Sequence, residues 1–221
     1  MKLNVFFIRH GLSCANVTHY YKDTNVKEHN KYLDPELSNL GVRTSKSIGE
    51  KFRKKHIHLD GVLSSTLFRA IETAHHMFPN HAITPIPYVK EHDNERSDEL
   101  MPWKEKIGKF KKMYPKLRVS NHYLKGKDKN KTDYSKLKDF ILEYAVSHFG
   151  YKKEYNIVIV CHSLYMWHNL PGLKINPLNN AIYKVIYTYK LDENPVVKIN
   201  GGMPKGKELK KKDYKRCAKV N

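Results

Sequence analysis

The chain has 221 residues, enough to bury a substantial core and typical of one domain. Hydrophobic residues are 40% of it, which argues against general disorder, and no apolar run approaches the ~20 residues needed to span a bilayer. Lys and Arg total 41 against 22 Asp and Glu, a formal charge of +19. Such a field favours anionic partners, whether nucleic acid, phospholipid or phosphorylated metabolites and proteins; it equally fits a solvated, lysine-rich surface.

The first element in chain order is the apolar run Val5–Phe6–Phe7–Ile8, which reads as a strand buried on both faces, as in a parallel sheet. It runs directly into Arg9 and His10, without the longer apolar core and small-residue cleavage site of a signal peptide, so a soluble, cytoplasmic protein is expected. Gly41 to Lys55 is a weaker amphipathic helix with Val42, Ile48 and Phe52 inward. Gly61–Val62–Leu63 is a shorter strand. Leu67, Ala70, Ile71, Ala74 and Phe78 then follow helical spacing, with Ser65 or Thr66 as cap and Pro79 as stop.

Residues 92–133 are charged and broken by proline, and read as an insertion over one end of the sheet. Leu137, Phe140, Ile141, Tyr144, Ala145 and His148 define a helix ending at Gly150, and Ile157 to Val160 form a second buried strand. Ala181 to Leu191 and Val196 to Ile199 predict an antiparallel edge hairpin, turning at Asp192–Pro195. Residues 201–221, with Lys210–Lys211–Lys212, predict a mobile basic tail on a single catalytic domain of residues 1–200. Strands alternating with helices argue for an α/β layered fold with a mainly parallel sheet.

The histidines carry the functional signal by their position. Arg9–His10–Gly11 directly follows one buried strand, and Cys161–His162–Ser163 directly follows the other. Ligands of open α/β sheets bind outside the carboxyl ends of the strands, so both histidines emerge on that edge. Gly11 permits close backbone approach to a ligand. Arg69 lies in the first turn of a helix whose N-terminus points at the same edge, where guanidinium and backbone N–H groups suit phosphate oxygens.

These residues stand in a wider pattern. Arg9 to Asn16, RHGLSCAN, resembles the R-H-G-x-S-x-x-N signature of the histidine phosphatase superfamily, also called phosphoglycerate-mutase-like. Asp34 to Gly41 resembles its D-P-x-L-[ST]-x-x-G segment, Ser64 to Ala74 its S-S-x-L-x-R-A-x-x-T-A segment, and Val160 to Ser163 its second histidine. The resemblance implies a three-layer α/β/α sandwich, His10 as nucleophile, and Arg9, Arg69 and His162 as the phosphate pocket. It further implies Asn16 as a phosphate contact and Glu91 as general acid. Ser163 replaces the usual Gly; its backbone N–H remains available, and its hydroxyl would either add a phosphate contact or crowd the pocket. Glu91 to Arg96 partly resembles the E-x-x-N-E-R of true mutases. Asp98 and Glu99, however, stand where Tyr-Gly follows, and no Arg-Arg pair lies downstream. The acid therefore stays open among Glu91, Asp93 and Glu95.

The implied activity is a phosphomonoesterase acting through phosphohistidine on a phosphorylated metabolite or phosphoprotein. A cofactor-dependent phosphoglycerate mutase and a non-catalytic phosphate- or nucleic-acid-binding protein are the alternatives. The scheme requires no metal or cofactor. Three widely spaced cysteines, Cys14, Cys161 and Cys217, predict reduced thiols without a disulfide framework or metal-ligand spacing. Neither Cys14 nor Cys161 is followed by the Arg that a cysteine phosphatase needs. His56, His58, His75 and His76 read as surface residues. Lys104, Lys106, Lys109, Lys111 and Lys112 of the insertion are expected to rim the pocket and, together with the basic tail, to contact a polyanion.

Overall fold

The computed structural model describes residues 1–20, 32–91, 96–120, 122–124, 133–188, 196–203 and 209–217. Six strands form one sheet there: β1 Lys2–Arg9, β2 Gly61–Ser65, β3 Ile83–Ile86, β4 Glu154–Cys161, β5 Ile182–Thr188 and β6 Val197–Asn200. Their order is β3-β2-β4-β1-β5-β6. The first four named in that order are mutually parallel, and β5 and β6 add antiparallel at the β1 side. The expected hairpin strands are therefore both present, with β5 inside the sheet and β6 at its edge; the expected turn at Asp192–Pro195 lies outside the described residues.

The period of two along each strand sends its side chains alternately to two cores. Val5, Phe7, Ile157 and Ile159 join Leu137, Ile141, Tyr144 and Ala145 of helix α5, Tyr134–Phe149. Phe6, Ile8, Val158 and Val160 face the other way, onto α2 (Asn39–Arg53), α3 (Phe68–Met77) and α4 (Trp103–Met113). Two short helices, α1 Cys14–Tyr20 and α6 Ser163–Asn169, follow the two histidine strands. The result is the expected α/β/α sandwich.

Helix α2 begins at Ser38, whose hydroxyl accepts from the Gly41 N–H at 3.0 Å. Its buried face differs from the expected one: Gly41, Ser45, Gly49 and Phe52 point inward, while Val42 and Ile48 are only half-buried. Small residues let the helix backbone close in. A Cβ on Gly41 would stand 2.2 Å from the Leu12 carbonyl oxygen, and one on Gly49 would stand 2.5 Å from the Met77 Cα.

Sequence reasoning passed over β3, because four residues containing Pro85 give a weak strand signal. An edge tolerates the missing N–H, and here residues 118–120 partly cover that edge, with the Ile83 N–H donating to Arg118 and the Ser120 N–H to Ile83. The insertion is correspondingly more structured than expected. Its helix α4 stacks Phe110 on Phe68 at 4.0 Å between ring centroids. Lys106 points inward, 1% exposed, donating to the Thr66 carbonyl at 2.6 Å and pairing with Asp34. Lys109 pairs with Glu36 at 3.3 Å over the Phe68 ring. Only Lys104, Lys111 and Lys112 of the five expected recruiters are exposed.

Four more expectations are corrected. Residues 209–217 of the expected mobile tail are folded back, with Asp213 paired to Arg43 and Arg216 reaching Glu72 at 2.8 Å. Cys14 and Cys217, expected as reduced thiols, are disulfide-bonded, and Cys161 alone is a free thiol among the described residues. Spacing alone could not show that cysteines 203 positions apart meet. Helix α3 is capped from a distance: the Phe68 N–H donates to the Asp34 carboxylate at 2.6 Å, while Ser65 accepts only from the Leu67 N–H before the first turn, at 3.3 Å, and Thr66 contributes no side-chain cap. His76 is buried, with its Nε2 3.3 Å from the Tyr114 hydroxyl, because α4 and the following residues cover it.

Candidate active site

Strands β1 and β4 pair in parallel with Arg9 opposite Cys161, so the chain leaves both strands at the same level. The His10 N–H donates to the Cys161 carbonyl at 2.9 Å, and the His10 and His162 rings lie 5.1 Å apart. Gly11 holds this turn down by donating its N–H to Thr73 of α3 at 2.9 Å. The space at Gly11 faces α2, where a Cβ would meet the Ser45 hydroxyl at 2.6 Å. Its smallness thus serves helix packing, where sequence reasoning assigned it to ligand approach.

The His10 ring is oriented by its neighbours. Its Nδ1 lies 2.7 Å from the Gly11 carbonyl, which can only accept, so Nδ1 carries the hydrogen and Nε2 presents its lone pair. Arg69 Nε donates toward that Nε2 at 3.3 Å. Burial, then the Arg69 and Arg9 charges, hold the His10 pKa well below the usual histidine value. His162 is lowered likewise, by burial first and then by Arg69, His10, Arg9 and Lys90. Both imidazoles are therefore neutral at pH 7. Among the described residues, neither ring nitrogen of His162 has a hydrogen-bond partner, although the residue is fully buried. Buried polar atoms without partners call for a ligand or water.

The arginines reach the site from different elements, Arg9 from the end of β1 and Arg69 from α3. Arg9, 4% exposed, donates Nη1 to the Pro177 carbonyl at 2.6 Å. Arg69, also 4% exposed, donates Nη1 to the Ser97 carbonyl at 2.7 Å and pairs through Nη2 with Asp98. Ser163 opens α6, but its hydroxyl is turned to Asn176 and to the Pro177 carbonyl at 3.1 Å. It shares that carbonyl with Arg9 and so helps set where the guanidinium sits. Asn16 lies on α1 beside the His10 turn: its Oδ1 accepts from Ser13 at 3.3 Å and from Asn179 at 3.2 Å, and Asn179 also donates to the His10 carbonyl at 3.1 Å. The Glu91 carboxylate accepts from the Tyr165 N–H at 3.0 Å, in the first turn after His162. Asp93 and Glu95 lie outside the described residues.

Two participants escaped the sequence: Asp98 and Pro177 act by contacts with arginines far away in the chain. Thr73, the threonine of the quoted Ser64 to Ala74 segment, joins Gly11 to α3. Asp34 could have been found. It sits in the quoted D-P-x-L segment and takes a left-handed backbone, φ 44°, which Asp tolerates better than most residues. Its carboxylate caps α3 and pairs with Lys106. Among the described residues no cluster of His, Cys, Asp and Glu could hold a metal ion. No described helix is long and apolar enough to cross a membrane.

Two histidines and two arginines thus converge at the carboxyl edge of an α/β/α sandwich. The chain belongs to the histidine phosphatase superfamily, branch 1, whose sequence profile matches residues 5–180. Curated relatives include the 2,3-bisphosphoglycerate-dependent phosphoglycerate mutase of Chlamydia trachomatis, 24% identical over 126 residues, covering 53% of this chain and 51% of the relative. The chain thus spans about half the length of the curated relatives it matches. Among solved structures, it resembles the ecdysone phosphate phosphatase of Bombyx mori, with a TM-score of 0.59, 17% identity, and 94% and 96% of the two chains covered. It also resembles a mycobacterial glucosyl-3-phosphoglycerate phosphatase, with a TM-score of 0.55, 14% identity, and 92% and 100% covered. The protein histidine phosphatase SixA follows at 0.54, with 12% identity and 90% and 97% covered. At these identities the likeness is one of fold.

Proposed function

We propose that this protein is a phosphomonoesterase that works through a phosphohistidine on His10, with residues 1–200 as its catalytic domain. The observation that carries this reading is the His10 ring: Nδ1 tied to Gly11, Nε2 facing Arg69, and His162 5.1 Å away with ring nitrogens that lack hydrogen-bond partners among the described residues. In this scheme Nε2 attacks phosphorus while Arg9, Arg69 and His162 neutralise the phosphoryl oxygens. The phosphorus–oxygen bond to the substrate breaks, and Glu91 protonates the departing alkoxide. The Glu91 carboxylate then takes a proton from water, whose oxygen attacks phosphorus, releases phosphate and restores His10. Asn16 and Ser163 act by holding the His10 turn and Arg9.

Chromogenic and natural phosphomonoesters are the first assay, across sugar phosphates, nucleotides, inositol phosphates and phosphopeptides. His10→Ala should abolish turnover while the protein stays folded. Rapid quenching of the wild type should trap an acid-labile, alkali-stable phosphoprotein. Full activity in His10→Ala ends the reading.

The mutase reading is favoured by one observation, the similarity to phosphoglycerate mutase over half the chain. Against it stand Asp98 and Glu99 where true mutases carry Tyr-Gly. Conversion of 3-phosphoglycerate that depends on added bisphosphoglycerate would establish it. Recruitment of a polyanionic substrate or surface falls to the exposed Lys104, Lys111 and Lys112.

A further inference from the structure

Arg69 is already occupied by groups of the protein itself. Ser97 takes Nη1 and the Asp98 carboxylate takes Nη2, while Nε faces the His10 nucleophilic nitrogen at 3.3 Å. The side chains of Arg69 and Asp98 are 5% and 6% exposed. Carboxylate and phosphate oxygens present the same acceptor geometry to a guanidinium fork. Asp98 therefore holds a donor that a phosphate seated against His10 would use.

We propose that Asp98 is the resting counter-ion of Arg69, which a substrate phosphate must displace. This rests on the phosphatase reading of the site. A buried guanidinium without a counter-charge is costly, and Asp98 supplies that charge while no phosphate is bound. Arg9, Arg69 and Lys90 supply the positive charge felt at the two histidines. The Asp98 carboxylate occupies the Arg69 Nη2 donor that a phosphomonoester dianion would take, so carboxylate and phosphate compete for it. Dianions win that exchange and monoanions such as chloride or a simple carboxylate do not, which makes Asp98 a selectivity filter for phosphoryl groups. The residue ends the short turn Arg96–Asp98, whose Ser97 carbonyl holds the other Arg69 terminal nitrogen.

The test is tungstate binding by calorimetry to the full chain, as wild type, Asp98→Asn and Arg69→Ala. Asn keeps the shape and an acceptor oxygen but removes the charge. Asp98→Asn should bind tungstate tighter by roughly tenfold or more, and acetate should begin to compete; Arg69→Ala should bind weaker. Asp98→Ser replaces Asp98→Asn if circular dichroism shows the latter to be misfolded. Unchanged or weaker binding in the folded Asp98 variant, with wild type binding normally, overturns the counter-ion proposal alone and makes Asp98 a positioning residue. No tungstate binding by the wild type and the Asp98 variant overturns the site reading as well.

Discussion

At the scale of single residues, the site is set by tautomer and charge. His10 keeps its Nε2 lone pair because Nδ1–H is held by Gly11 and because burial and two arginines oppose protonation. An ordinary histidine nucleophile would lose activity below about pH 6.5, where half the rings are protonated. With the pKa lowered, kcat/KM should hold through pH 6.5 and fall only at more acidic pH. A pH–rate profile with an acid limb centred at 6.5 would contradict this. Glu91 makes a separate prediction. Glu91→Gln cannot donate a proton, so it should slow alkyl phosphates by roughly 100-fold or more while sparing activated aryl phosphates. Equal losses on both substrates would move the acid role to Asp93 or Glu95.

At the scale of elements, α3 connects the pocket to the tail. It carries Arg69, then Thr73 bonded to Gly11, and between them Glu72, fully buried. The Glu72 carboxylate accepts from Leu37 at 2.6 Å, from Tyr114 and from Arg216. Burial raises its pKa, opposed chiefly by the Arg216 charge. Arg216→Ala removes that partner from a buried carboxylate and should destabilise the fold by about 1–3 kcal/mol. Urea unfolding measures it. A double change with Glu72→Gln should cost less than the sum of the single changes, because the two groups act on one another. Strict additivity would mean that the tail touches α3 without coupling to it. The strands with continuous apolar runs were readable from those runs. Strand β3 was not, because Pro85 interrupts it. Helix α4 was not, because its lysines have the pattern of a solvated face, although Lys106 is buried in a pair with Asp34.

At the scale of the whole molecule, the Cys14–Cys217 bond joins the first helix to the end of the described chain. Closing so long a loop restricts the unfolded state, so Cys217→Ser or full reduction should each cost about 2–5 kcal/mol. An unchanged melting temperature after reduction would refute the contribution. Buried histidines add a pH term. His10, His162 and His76, the last held at about 3, all have folded pKa values below the unfolded value of 6.5. The unfolded chain then binds more protons, so the stability they contribute is present above about pH 6.5 and is lost as pH falls. Each contributes up to about 1.4 kcal/mol per pH unit below that point. Glu72, with a raised pKa, acts in the opposite sense, and its neutralisation offsets part of the loss. Charge recruitment is tested by salt. Raising it from 0.1 to 1 M shrinks the Debye length from ~10 to ~3 Å, so kcat/KM for a polyanionic substrate should fall more than for a small aryl phosphate. Changing Lys104, Lys111 and Lys112 to Gln should remove the difference.

The sequence by itself determined the alternation of buried strands and amphipathic helices, and the placing of Arg9, His10 and His162 at strand ends and Arg69 in a first helical turn. Those features are local: periodicity of side chains and the residue that follows a strand are written in consecutive positions. Tertiary structure alone decided that Asp98 sits on Arg69, that Arg216 reaches Glu72, that Asp34 caps a helix more than thirty residues away, and that Cys14 meets Cys217. Each of these joins a charge, a donor or a thiol to a partner distant in the chain. Such pairs are chosen by burial, which leaves polar groups no water to turn to, and burial exists only once the layers have packed.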